Sequence, residues 1–181
     1  MKNNLIIIIS LFTINLIASQ DLKLPSIFND NMVLQQDSNV SIWGWSKSRS
    51  SISITLSWNE KILITQSDDN GKWIINIKTP KSGKSQKISI KSGDQKVVMS
   101  NILMGEVWLA SGQSNMQMNL NGYRNEPILG ANDAIANSYN SEIRFFTVER
   151  NTSEFPLEDL EGNWSISNQE NSPSFSAVGY S

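Results

Sequence analysis

Ser51-Ile52-Ser53-Ile54-Thr55-Leu56-Ser57-Trp58 decides the reading of the first half of the chain. Successive side chains of a β-strand point to opposite faces, so strict alternation puts Ile52, Ile54, Leu56 and Trp58 on one face and the small hydroxyl residues on the other. Shorter segments on either side repeat the pattern: Val40/Ile42, Ile62/Ile64, Trp73/Ile75/Ile77 and Ile88/Ile90. Turn signals separate them. Asp68-Asp69-Asn70-Gly71 contains Asn-Gly, the strongest short hairpin signal, and Ser82-Gly83 and Ser92-Gly93-Asp94 read as further turns. Many short strands, each with one apolar face, predict a small antiparallel β-sandwich over residues 20–102. Its lysines fall mostly on outward or turn positions, as a solvated sheet face requires.

The charge pattern marks where this unit ends. Every lysine lies within residues 1–96, whereas from 97 onward the basic residues are Arg124, Arg144 and Arg150, against ten acids. Two units with different surfaces, joined near residues 97–103, follow from that shift. In the second unit, residues 104–110 form an almost unbroken apolar run around Gly105 and Glu106, which predicts a strand buried on both faces. Ser111-Gly112-Gln113-Ser114 reads as a turn, residues 132–138 as a helix with Asn132 at its N-cap, residues 143–148 as a strand, and residues 173–178 as the start of another helix. Strand, helix, strand, helix predicts an α/β unit with a parallel sheet over residues 103–181. Two strands cannot cover both faces of such a sheet, so this unit is expected to be incomplete.

Composition narrows the function. The 181 residues are 39% hydrophobic and 18% charged, enough for a real core, and a net charge of −2 gives no reason to expect a nucleic-acid partner. The chain has no cysteine, which excludes a disulfide framework, a thiolate metal site and a lipoprotein anchor. Its scattered carboxylates show no metal-ligand spacing, and no cofactor is expected. At the N-terminus, Lys2 precedes an apolar run over residues 5–17, and Ala18 and Ser19 offer a cleavage site before Gln20-Asp21. The run falls short of the roughly 20 apolar residues of a spanning helix. It predicts a signal peptide over residues 1–19, a secreted or periplasmic product, and no stable membrane anchor after cleavage.

The segment Met104-Gly105-Glu106-Val107-Trp108-Leu109-Ala110-Ser111-Gly112-Gln113-Ser114-Asn115-Met116 carries the chemistry. Serine is a weak nucleophile unless a base takes its proton and donors await the oxyanion. A sharp turn between a buried strand and a helix presents a hydroxyl at the edge of the sheet; here Gly112 would permit the turn and Ser114 would sit at its exit. Met116 stands where a Gly-x-Ser-x-Gly elbow has its second glycine, which argues against an α/β-hydrolase elbow. Local chemistry alone leaves two readings for Ser114, a nucleophile or a helix N-cap.

Residues 105–116 closely resemble the nucleophile block of the sialate O-acetylesterases, within the SGNH (GDSL-like) hydrolases. Leu24-Pro25-Ser26-Ile27-Phe28-Asn29-Asp30-Asn31-Met32-Val33-Leu34-Gln35-Gln36 resembles that family's N-terminal signature. Val40-Ser41-Ile42-Trp43-Gly44-Trp45 and Asn70-Gly71-Lys72-Trp73 resemble its β-domain landmarks, and Phe175-Ser176-Ala177-Val178-Gly179-Tyr180 a later block. Lys47-Ser48-Arg49-Ser50 departs from the glycine turn common there, which implies a local loop change. The resemblance implies a metal-free Ser–His–Asp esterase acting on O-acetyl groups of sialic acid or related sugars. Ser114 would be the nucleophile, and its backbone N–H would contribute to the oxyanion hole. Asn115 belongs to the nucleophile block and is not the oxyanion asparagine. The family's glycine, asparagine and Asp-x-x-His lie in later blocks, which do not occur here.

The chain contains no histidine, so no side chain has an unperturbed pKa suited to a general base near neutrality. Lys96, the last lysine, precedes the nucleophile, and nothing in the sequence brings Glu106 or Asp133 to it. The 181-residue polypeptide is therefore expected to be an inactive fragment of its parent enzyme. An acetylxylan or other polysaccharide deacetylase, a non-catalytic carbohydrate-binding β-sandwich and a pseudoenzyme are the alternatives. Of the tryptophans, Trp58, Trp73 and Trp108 read as core and Trp43 and Trp45 as packed, while Trp164, in a loop after Gly162-Asn163, is the best candidate of the six for an exposed contact. The acids of residues 154–161 read as a solvated loop.

Overall fold

The computed structural model describes residues 22–181; the predicted signal peptide lies outside the described residues. The chain is mostly β. Strands β1 (Val33–Gln35), β7 (Gln95–Gly105), β6 (Gln86–Ser92), β3 (Ser51–Leu56) and β4 (Asn59–Gln66) hydrogen-bond in that order into one sheet. β2 (Asn39–Trp45) and β5 (Lys72–Lys78) form a second, two-stranded antiparallel sheet. The large sheet is mixed rather than wholly antiparallel, because β1 runs parallel to the end of β7, with Leu34 opposite Met104.

The alternation in β3 sets the core. Ile52, Ile54 and Leu56 are buried, and β6 supplies Ile90 and Ile88 opposite the last two. Ile42, Trp73 and Ile77 of the smaller sheet join the same cluster. Each isoleucine taken fully from water contributes about 1.5–3 kcal/mol, so these period-2 positions account for much of the stability. Trp58 is only half-buried. It stands on the turn after β3, where its Nε1 donates to the Lys78 carbonyl at 3.0 Å.

β4 takes the opposite phase from the one expected. Directly opposed residues project to the same face, and Leu63 lies opposite Ile54 while Ile64 lies opposite Ser53. Leu63 therefore turns inward, and Ile62 and Ile64 are left 63% and 70% exposed on an edge strand. The turn at Asp68-Asp69-Asn70-Gly71 forms, but it joins the two sheets instead of closing a hairpin. Asp68 Oδ1 accepts from the amides of Asn70 and Lys72, both at 2.9 Å, and of the two signal residues only Gly71 takes a positive φ, 83°. In Lys47-Ser48-Arg49-Ser50, Arg49 takes φ 55°, a left-handed conformation costly for a residue with a Cβ. Hydroxyls of Ser46, Ser50, Ser67 and Ser92 bond one another beside that turn.

The second half differs more from expectation. β7 ends at Gly105, and residues 106–112 belong to no strand or helix. Trp108 and Leu109, expected in a buried strand, are 87% and 91% exposed. A strand needs a neighbour to pair its N–H and C=O groups, and no described segment pairs with this one. Helix α1 (Ser114–Gln117) follows, then α2 (Ala131–Ala136), whose N-cap is Gly130 and not Asn132. β8 (Asn140–Val148) pairs antiparallel with β9 (Gly162–Ser167), so the expected parallel α/β sheet is not present among the described residues. The last helix, α3 (Ala177–Tyr180), begins after a 3₁₀ turn at Ser172–Ser174; Ser176 caps it, its Oγ accepting from the Gly179 amide at 3.1 Å.

The acidic segment before β9 is a largely exposed loop, as read, and it is tethered at two of its acids. Asp159 accepts from the Ser26 amide at 3.0 Å and pairs with Lys23 at 3.0 Å, while Glu158 pairs with Lys72. Trp43 Nε1 donates to the Glu158 carbonyl at 3.1 Å. Trp164 lies in β9, half-buried against the β-core. Its Nε1 donates to the Ile27 carbonyl at 2.8 Å, so it ties the hairpin to the first half of the chain instead of meeting solvent. Gly44 permits the neighbouring closure of residues 22–24. A Cβ there would lie 2.4 Å from the Lys23 carbonyl oxygen and 2.8 Å from Trp73.

Candidate active site

Ser114 is the first residue of α1, with Gln113 at the N-cap in extended backbone. It is solvent-exposed and lines an open cleft of about 500 Å³ together with Ser111, Gly112, Gln113, Gln117 and Arg150, among others. Gln113 makes no side-chain cap bond, and Ser114 itself is inside the helix, so the N-cap alternative for Ser114 does not apply. The turn before it does not depend on glycine. Gly112 has no left-handed φ, and a Cβ there would meet Met116 Cβ at an ordinary 3.5 Å.

Two stretches of the family resemblance come together here. The Ala177 amide donates to Met118 O at 2.8 Å, the Leu120 amide to Phe175 O at 2.8 Å, and Asn119 forms an antiparallel bridge with Ser176. Ser176 Oγ donates to Met116 Sδ at 3.6 Å. A Cβ on Gly179 would lie 3.3 Å from Ala110 Cβ. Phe175 stacks on Phe145 of β8 at 4.2 Å between centroids, which anchors the later block and through it the serine-bearing turn.

The family-like N-terminal signature fixes the end of β7, several residues before that turn. Gln35 Nε2 and Gln36 Nε2 each donate to a different carboxylate oxygen of Glu106 at 2.9 Å. The Gln35 side-chain carbonyl accepts from the Val107 amide at 3.0 Å, and the Gln36 amide donates to Gly105 O at 2.9 Å. The bonds from Gln36 and Gln35 hold the Glu106 carboxyl below its ordinary pKa, against a smaller upward push from desolvation. Glu106 is thus a fixed carboxylate clamped between two amides, and it does not line the Ser114 cleft. Asp133 lines a separate hollow with Asn121 and Pro127. Neither candidate carboxylate is brought to Ser114 as a base, and among the described residues no group of three or more potential metal ligands occurs.

The sequence reading passed over Arg150. It lies two residues beyond the end of β8, and its Nη2 donates to Gln117 Oε1, one helical turn from Ser114. Its only signal was that it is one of three basic residues after Lys96.

No family model matches the chain. Its structure is similar to that of a carbohydrate acetylesterase from Xanthomonas citri, with a TM-score of 0.80 and 27% identity over 88% of this chain and 36% of that one. The molecule's relatives are thus carbohydrate esterases. More narrowly, the sequence is similar to the sialate O-acetylesterases of Homo sapiens, 27% identical over 163 residues (82% of this chain), and Rattus norvegicus, 26% identical over 151 residues (77%). Over most of its length the chain resembles the sialate O-acetylesterase family, as a partial member would. It spans 30% and 27% of those two relatives' lengths.

Proposed function

We propose that these residues form the nucleophile-bearing part of a secreted or periplasmic carbohydrate O-acetylesterase. Ser114 Oγ would attack the acetyl carbonyl of an O-acetylated sialic acid or related sugar. The C–O bond to the sugar breaks, the sugar hydroxyl leaves with a proton, and water then releases acetate from the serine. The backbone N–H of Ser114 contributes to the oxyanion hole. On this reading residues 20–102 are a β-sandwich companion domain and residues 103–181 the start of an SGNH-type α/β/α domain. The bare apolar stretch at residues 107–109 fits a strand whose neighbours belong to the rest of the enzyme. The histidine base also comes from there.

The observation that carries the proposal is that exposed Ser114 lines an open cleft, in a segment that residues 175–180 meet on both sides of the serine, at Ala110 and at residues 116–120. A polysaccharide deacetylase is the second reading, because the Xanthomonas citri relative is more broadly a carbohydrate acetylesterase.

The test is a chimera in which residues 22–181 replace the matching segment of the Rattus norvegicus relative. It should deacetylate an O-acetylated sialoside and lose that activity with Ser114→Ala. An active chimera in which Ser114→Ala changes nothing would sink the assignment. The 181-residue chain alone should hydrolyse p-nitrophenyl acetate no faster than buffer, since it has no histidine to act as base.

A further inference from the structure

We infer that Arg150 is the group that selects an acidic sugar in the Ser114 cleft, binding the ring carboxylate of the substrate while its ester faces the serine. The inference rests on the esterase reading above and adds to it the residue that reads the charge of the substrate.

Among the described residues, Arg150 is the one charged residue lining the cleft. Its backbone emerges from a fixed point, because the preceding Glu149 amide donates to Glu161 O at 2.9 Å and continues the β8–β9 ladder. Its guanidinium is aimed by Gln117. That residue is three positions after Ser114 on the same short helix, so the two side chains share one face. The bond to Gln117 is the one hydrogen bond of the Arg150 side chain among the described residues, and no described carboxylate pairs with it. A guanidinium has five N–H donors in a planar fork that matches a carboxylate two bonds at a time. Most of that fork is unspent and open to the cleft. A neutral acetylated pentose would leave it unused, whereas an acidic sugar would meet it with a charge-assisted pair.

The experiment uses the 181-residue chain and needs no turnover. N-acetylneuraminic acid and its methyl ester, nearly the same shape with and without the charge, are titrated in low-salt buffer and followed by NMR. The free acid should bind about tenfold tighter than the ester, a difference of about 1.4 kcal/mol. Arg150→Gln should bring the acid down to the ester's affinity and leave the ester unchanged. Circular dichroism of the variant should match the parent, since the side chain is exposed. Equal binding of acid and ester, no binding of the acid, or a preference that survives Arg150→Gln would each overturn the inference. Ser114→Ala should keep the preference for the acid. Failure here is therefore separable from failure of the nucleophile assignment, which the chimera tests.

Discussion

Replacing Trp164 asks whether the hairpin of β8 and β9 is truly bound to the β-core. Trp164→Phe keeps a ring but removes the indole N–H, leaving the Ile27 carbonyl without its 2.8 Å donor. A lost hydrogen bond of this kind costs about 0.5–1.5 kcal/mol. Trp164→Ala also removes the edge contact with Phe146, whose ring centroid lies 5.2 Å away, and the packing against the core cluster. Full truncation of a buried tryptophan costs about 3–5 kcal/mol. Trp164 is half-buried, so about 2–3 kcal/mol is expected. With a urea m-value of about 2 kcal/mol/M, the midpoint should fall by about 1–1.5 M for Trp164→Ala, and by about 0.25–0.75 M for Trp164→Phe. Far-UV circular dichroism is the suitable probe, because the chain's six tryptophans would blur a fluorescence signal. Surface substitutions stay within about 0.5 kcal/mol. If both variants fell in that range, Trp164 would be an exposed side chain, and the docking described above would be wrong.

Three further outcomes follow from single contacts. Gly44→Ala should destabilise by about 1–3 kcal/mol, since the new methyl meets a carbonyl oxygen and an aromatic ring that cannot both yield, and amide exchange at Lys23 and Trp45 should speed up with it. Ile64→Lys should change the urea midpoint hardly at all, within about 0.5 kcal/mol, because the residue faces water; a loss of several times that would restore the inward phase for β4. Burial pushes the Asp159 carboxyl up, but the Ser26 amide, Lys23 and the Leu160 amide outweigh it and hold its pKa below the ordinary value. A folded pKa below the unfolded one adds stability that is complete above about pH 4–5 and is lost as pH falls through the folded value. The stability gap between parent and Asp159→Asn should thus be constant near neutrality and close on acidification. A gap that widened in acid would contradict the assignment.

How much was legible in the sequence varied with the range of the interactions involved. The inward faces of β3, β5 and β6 could be read from alternation, because period 2 is a property of the strand itself. β4 could not. Its residues alternate equally well in either phase, and only the register placing Leu63 opposite Ile54 left Ile62 and Ile64 outside. The Asn-Gly turn was visible, but not that its flanking strands would choose partners in different sheets. The apolar run at residues 104–110 has the composition of a buried strand, and a strand becomes one only where another pairs with it. The contacts of Trp164 and of the acids at 158–159 could not be read locally, because their partners, Ile27, Ser26, Lys23 and Lys72, are far away in sequence.

The serine-bearing turn shows the same division. The sequence by itself fixed Ser114 as the candidate, through stretches that resemble the sialate O-acetylesterases, and it fixed the lack of a histidine. It could not say that Gln35 and Gln36 clamp Glu106, that residues 175–180 pack onto the segment following α1, or that Arg150 enters the cleft. Residue identity and local period are carried by neighbours in the chain. Which charged residue shares a cleft with the serine depends on contacts across 30 or more residues, as with Arg150 and Gln117, and those exist only once the strands have paired.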